Sequence, residues 1–216
     1  MSILGTITSK IANCNVSTES NAPGTQRELE YEIYGIVEDM STIDNLDAQK
    51  ETQEQYERLL ENGSIRIRAT TKDDATEYVM TLKSWEKGKD GRKESNSEAI
   101  ESEFFEHWKE IATSGVKKTR YFVPAGKQKL NRPENIEKYG EYFDLVWEID
   151  VFQGKDGNPC NWVKLDLEVK EPLKEFPPTP LKLTDTITSG SNSRTEEERK
   201  KIRHYYDNVF NVKAEQ

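Results

Sequence analysis

The chain has 216 residues, 33% hydrophobic and 33% charged, with 31 basic against 40 acidic side chains and a formal net charge of −9. The length suits one domain with trimmings, and the negative balance argues against a general duplex-DNA binder, which needs a basic surface. A local basic cavity for phosphate remains compatible with it.

Cys14 and Cys160 are too far apart in sequence to make a metal motif or a disulfide framework. No apolar run is long enough to span a membrane, and the first residues lack a signal peptide's basic-then-apolar plan. The expectation is a soluble, cytoplasmic protein with no membrane partner.

In chain order, residues 1–26 read as an arm or loop: Leu4 to Ile11 has the pattern of a short strand, and Ser17 to Gln26 is rich in loop formers. Arg27 to Val37 is a strand with Glu28, Glu30 and Glu32 on one face and Leu29, Tyr31 and Ile33 on the other. Three carboxylates on one strand face repel each other, so they need open water or a cation. Asp44 to Leu60 has helix-forming composition with a thin apolar stripe (Leu46, Tyr56, Leu59, Leu60), which predicts a peripheral helix ended by Asn62-Gly63.

Ser64 to Arg68 is a strand with Arg66 and Arg68 on one face, and Glu77 to Trp85 is another, with Lys83 near its end. Ser95 and Glu98 fit a capping box that opens a helix striped by Ile100, Phe104, Trp108 and Ile111 and packed on a sheet. Glu101, Glu103 and Glu106 form its solvated side.

Val116 to Val123 carries Lys118 and Arg120 on one face, and Pro124 to Tyr139 reads as loop. Tyr142 to Gln153 alternates Glu148 and Asp150 with Trp147, Ile149 and Val151; a hairpin turn at 154–159 returns the chain through Asn161 to Lys170. That returning strand sets Lys164, Asp166 and Glu168 opposite Leu165, Leu167 and Val169. Pro172 to Pro180 reads as extended surface chain. Thr195 and Glu198 cap a last helix with Ile202, Tyr205, Tyr206, Val209 and Phe210 as its buried stripe.

Several strands thus carry ionisable groups on one face and apolar groups on the other. Two arrangements satisfy that pattern. A flat antiparallel sheet packs its apolar face on helices and leaves the charged face in water. Alternatively the sheet closes into a barrel with a charged interior. Arg-x-Arg and Lys-x-Arg pairs suit phosphate oxygens, and hard carboxylates beside them suit Mg²⁺ or Mn²⁺.

Glu28-Leu29-Glu30-Tyr31-Glu32 resembles the Glu-x-Glu-x-Lys opening strand of the CYTH, or triphosphate tunnel metalloenzyme, superfamily. Arg66-x-Arg68, Lys83, Lys118-Thr119-Arg120, Trp147 to Phe152 and Asp166-Leu167-Glu168 resemble that family's later tunnel strands, in order. The resemblance covers about residues 27–170, and a domain extending over 27–212 would include the closing helix.

It implies an α+β fold: a closed eight-stranded antiparallel β-barrel with helices packed outside, binding a small-molecule triphosphate or nucleotide with Mg²⁺ or Mn²⁺. By position, Glu28, Glu30 and Glu168 would hold metal, and Glu148, Asp150 and Asp166 would position water. Arg66, Arg68, Lys83, Lys118 and Arg120 would cradle phosphates. Glu32 departs from the family's lysine, which bears on substrate choice and catalysis; it shares the face of Glu28 and Glu30 unless the strand bulges after Tyr31.

The implied activity is metal-dependent triphosphate hydrolysis. Two alternatives stand beside it: an adenylyl cyclase of the same family, and a non-catalytic binder of a phosphorylated nucleotide. His107 and His204, on helices beside aromatic residues, read as surface or packing histidines, and no Ser-His-Asp or Cys-His order appears.

Overall fold

Period-two alternation becomes antiparallel pairing almost throughout the computed structural model, which describes residues 29–85, 92–94, 97–125, 145–169, 177–188 and 194–209. For residues 29–30, 84–85 and 92–94 only the backbone is described. The expected N-terminal arm, Glu28, Cys14, Ser95, Lys170 and Phe210 lie outside these residues, as does most of the expected loop after Pro124.

The elements are β1 (Leu29–Val37), α1 (Ser41–Asp44), β2 (Gln49–Leu60), β3 (Gly63–Lys72), β4 (Ala75–Trp85), β5 (Arg92–Glu94) and β6 (Glu98–Ala99). They continue with α2 (Ser102–Ile111), β7 (Ser114–Pro124), β8 (Val146–Gln153), β9 (Pro159–Val169), β10 (Leu183–Thr188) and α3 (Glu196–Asn208). None of these helices is long and apolar enough to cross a membrane.

The ten strands form one antiparallel sheet in the order β10-β1-β9-β8-β7-β2-β3-β4-β5, with β6 also on β4. This corrects the expected closed eight-stranded barrel. Among the described residues β10 and β5 stand at opposite edges and no ladder joins them. Closure needs a full-length partner at each edge. The outer edge of β4 is instead taken by the short β5, at Lys83 to Trp85, and by β6, at Val79 and Met80. At the other edge the β1–β10 register breaks between Tyr34 and Ile36, and Asp185 of β10 sits at φ +53°. The sheet is curled but open.

The helix expected over Asp44 to Leu60 is α1 followed by the strand β2, which lies in mid-sheet between β7 and β3. Both faces of β2 are polar, so no alternation of apolar residues marks it; Tyr56 is its one buried apolar side chain. Pairing on both edges overrides the helical composition. Gly115 of β7 lies opposite Tyr56, and a Cβ there would stand 2.5 Å from the Tyr56 ring. That close approach is why β7 needs glycine at this point.

Two apolar clusters cover the convex face. One joins Ile43 of α1 with Trp147, Ile149, Val163, Leu165 and Leu167. The other packs Phe105 and Trp108 of α2 on Tyr56, Ile65 and Ile67. Helix α2 therefore docks on the sheet as expected: Trp108 of the expected stripe is buried, Phe105 beside that stripe is buried with it, and Phe104 is half-buried. Its N-cap is Glu101, without a side-chain cap, and Glu98 belongs to β6, so no capping box opens it. The Thr195–Glu198 box of α3 is present as expected.

A third cluster lies on the other side of the sheet. Tyr34, Phe152 and Trp162 alternate in phase with the charged residues, and Ile202 and Val209 pack on them. Helix α3 thus sits on the concave face, at the end marked by the β8–β9 hairpin, where Val209 bridges to Gly154.

Candidate functional site

Curling of the sheet gathers its charged face around one cavity of about 780 Å³. Strands β1 and β9 contribute Glu32, Tyr34, Lys164, Asp166 and Glu168, and β8 contributes Glu148 and Asp150. Beside them stand Lys118 and Arg120 of β7, and across from them Glu57 of β2, Arg66 and Arg68 of β3 and Lys83 of β4. A flat sheet facing open water is therefore also not what the chain builds. The basic residues expected to bind phosphate, and Glu148, Asp150, Asp166, Glu168 and Glu32, all line this one space.

Register explains the charge pattern on the β7–β8–β9–β1 wall. Arg120 lies opposite Asp150, Asp150 opposite Lys164, and Lys164 opposite Tyr34. In the next row Glu148 lies opposite Asp166, and Asp166 opposite Glu32. The first row alternates in sign, and the three carboxylates of the second are met from it by Arg120 and Lys164, so the wall largely neutralises itself. Arg120 grips Asp150 through two bonds, Nε to Oδ1 at 2.7 Å and Nη2 to Oδ2 at 2.9 Å, and Arg120 Nη1 also donates to Glu148. Lys118 Nζ stands 2.5 Å from Asp150 Oδ2.

Asp150 is only 1% exposed. Burial acts to raise its carboxyl pKa, but the bonds and charges of Arg120 and Lys118 outweigh that and hold it below the usual range. Lys118 goes the other way. Burial first, with help from Arg120 and Lys164, lowers its ammonium from 10.5 to about 8 against the pull of Asp150.

Two residues of this wall were missing from the set read from the sequence. Lys164 Nζ lies 2.8 Å from both Asp166 Oδ2 and Glu32 Oε1, and burial is outweighed by Asp166, Tyr34 and Glu32 so that its pKa is raised. It shares the alternation of Asp166 and Glu168, a signal that was there to use. Arg194, just before α3, donates to Glu32 Oε2 and lies over the Tyr34 ring, 4.9 Å from its centre. Nothing local in the sequence links it to a strand 162 residues away.

Glu32 itself is in phase. Its pairing with β9 runs unbroken from Leu29 to Ile36, so no bulge follows Tyr31. Lys164 and Arg194 overcome the effect of burial and lower its pKa.

The β2–β3–β4 wall differs. Arg66 lies opposite Glu57, Arg68 opposite Gln55, and Lys83 opposite Ser64. Glu57 also accepts a hydrogen bond from Ser64 Oγ at 2.5 Å. Arg68 Nε is buried without a hydrogen-bond partner among the described residues. A buried donor in that state is costly, and an anion entering the cavity is one way to satisfy it.

For metal, the donor chemistry is hard oxygen throughout, as Mg²⁺ or Mn²⁺ requires. Glu168, exposed at the cavity rim, lies in register with Glu30 across the β1–β9 ladder. Among the described residues no group of three or more His, Cys, Asp or Glu stands close enough to hold an ion. His107 lies 3.8 Å from Glu110, and His204 is exposed; neither lines the cavity.

No protein-family model and no curated protein sequence matches the chain. Three solved structures to which it is similar can be described. The structure of the inorganic triphosphatase NE1496 is 19% identical, with 77% of this chain and 91% of that one covered at a TM-score of 0.45. A second structure of NE1496, described as a hypothetical protein, is 20% identical, with 79% and 94% covered and a TM-score of 0.42. The PH1819 protein from Pyrococcus horikoshii OT3 is 16% identical, with 87% and 94% covered and a TM-score of 0.39. These are loose overlays, and the chemistry below rests on the cavity of this chain.

Proposed function

We propose that this chain is a metal-dependent hydrolase of a triphosphate-bearing substrate, inorganic triphosphate or a nucleoside triphosphate, held in the concave cavity. The observation that carries the reading is the convergence of Arg66, Arg68, Lys83, Lys118 and Arg120 on one space that also holds Glu148, Asp150, Asp166 and Glu168. A space of both signs is a poor fit for a neutral ligand and suits a polyphosphate with a cation.

Arg66, Arg68 and Lys83 bind the phosphate oxygens, with planar guanidinium forks well matched to them. Lys118 and Arg120 reach the same chain from the facing wall. Asp150, tied to both, orients those two cations and is a weak proton acceptor. Glu148, 26% exposed and held by a single guanidinium nitrogen, is the carboxylate we assign to orienting the attacking water.

Glu30 and Glu168, with Glu28 as the third expected ligand, would hold Mg²⁺ or Mn²⁺. When bound, such a cation neutralises phosphate charge and aligns the leaving oxygen. The domain is proposed to extend over 27–212.

One observation favours a second reading, a binder of phosphorylated nucleotides that cuts nothing. Asp150, Asp166 and Glu32 are each already matched to cations of the chain. Incubating the protein with tripolyphosphate, ATP and GTP, with Mg²⁺ or Mn²⁺, and analysing binding and products separates the readings. Orthophosphate release supports the hydrolase, cyclic nucleotide with pyrophosphate a cyclase, and tight binding without products the binder. The absence of both binding and products would overturn the proposal.

A further inference from the structure

Glu32 is a carboxylate of the cavity that links the sheet to a segment outside it. Its Oε1 receives Lys164 Nζ at 2.8 Å, and its Oε2 receives Arg194, immediately ahead of the Thr195 cap that starts α3. Arg194 in turn covers the Tyr34 ring. Glu32 and Arg194 are 13% and 12% exposed, so the pair is largely withdrawn from solvent screening.

From this anchor α3 runs over the concave face. Trp162 meets Tyr205 at 5.1 Å and Tyr206 at 4.9 Å between ring centres, and Phe152 meets Tyr206 at 5.4 Å. Tyr206, Tyr34 and Phe152 then line the cavity that holds the charged residues. On the solvent side, Asp185 accepts from Tyr205 at 2.8 Å and from Lys201. The helix is polar over most of its surface, with Ile202 its one buried apolar residue. Tyr205, Tyr206 and Val209 complete its apolar contacts toward the C-terminal end, and the ion pair supplies the anchor at its start.

We infer that Glu32 is a positioning residue: through Arg194 it pins α3 as the end wall of the cavity, and it does not itself contact the ligand. A frayed α3 would admit water at Tyr206 and weaken every charge contact in the cavity. The pin and a direct electrostatic role predict opposite signs. If Glu32 acted on an anionic ligand through its charge, removing that charge would tighten anion binding and removing the Arg194 charge would loosen it. As the two halves of one pin, both changes loosen it.

The inference rests on the phosphate-binding reading for its ligand arm alone, so two measurements are paired. Hydrogen exchange of the α3 amides in the ligand-free full chain should quicken in Glu32→Gln and in Arg194→Gln, by about 10- to 100-fold each for loss of one charged hydrogen bond. The double variant should exchange no faster than the faster single one, because both remove the same interaction. Tripolyphosphate binding, with Mg²⁺ present, should weaken in both single variants. Parental α3 exchange in both single variants, multiplicative effects in the double variant, or tighter tripolyphosphate binding by Glu32→Gln would each overturn the inference. If the parent does not bind tripolyphosphate, the exchange arm still decides whether the pin exists, and only the functional reading fails.

Discussion

The two walls of the cavity carry ionisable side chains at the same alternate positions, yet they use them differently. On β7, β8, β9 and β1 the carboxylates Glu148, Asp150, Asp166 and Glu32 are met by Lys118, Arg120 and Lys164 of the same wall, and these residues form one linked network. On β2, β3 and β4 the cavity is lined by Arg66, Arg68 and Lys83 against the single carboxylate of Glu57. The first wall is built and held by its ion pairs. The second has positive charge in excess, which is what a polyanion needs. A charged strand face therefore has two uses, and only the neighbouring strand decides which one applies.

The largest effect expected from this contrast is at Asp150. Asp150→Ala leaves Lys118 and Arg120 buried beside a missing partner and should cost about 3–5 kcal/mol of stability. A denaturant midpoint close to the parent's would mean that the first wall does not hold the sheet. Arg68→Ala, on the second wall, should leave that midpoint nearly unchanged and weaken tripolyphosphate binding by about 1.5–3 kcal/mol. Calorimetric titration reads it, and an unaltered affinity would merge the two walls into one class.

A smaller effect separates the walls by pH. Lys118 has its folded pKa lowered from 10.5 to about 8, so within that window the unfolded chain holds the proton more tightly than the folded one. Stability from this group therefore rises with pH between those values. A bound polyanion favours the ammonium, so binding should take up a proton just above pH 8. Affinity should then fall by up to about tenfold per pH unit above it. Titrations in two buffers of different ionisation enthalpy measure the uptake, which Lys118→Arg should abolish; the same uptake in that variant would contradict the assignment. Smallest is the cap outside both walls: Thr195→Ala should cost about 1 kcal/mol by thermal unfolding, since Thr195 accepts from the Glu198 amide.

Faces were legible in the sequence wherever one side of a strand is apolar, as in Ile65-Arg66-Ile67-Arg68 or Trp147 to Val151. That regularity brought the basic residues and five of the carboxylates to a common face. It did not reveal β2, whose two polar faces hide the period of two and whose glutamines and glutamates favour helix. That the sheet stays open was not legible either, because it depends on the lengths of β5, β6 and β10 and on a break in register, none of which alternation encodes. Arg194 was invisible for a related reason: its partner Glu32 is met only after the whole sheet has formed. Glu30's side chain and Glu28 lie outside what the structure describes, so the expected metal end rests on the sequence resemblance, donor chemistry and the Glu30–Glu168 register.

Titrating tripolyphosphate in the presence of Mg²⁺ against the parent and Arg68→Ala tests the division of labour between the walls most directly. The account predicts binding by the parent, and binding weaker by about 10- to 100-fold in Arg68→Ala at unchanged stability. Parental affinity in Arg68→Ala, or no binding by the parent, would contradict it.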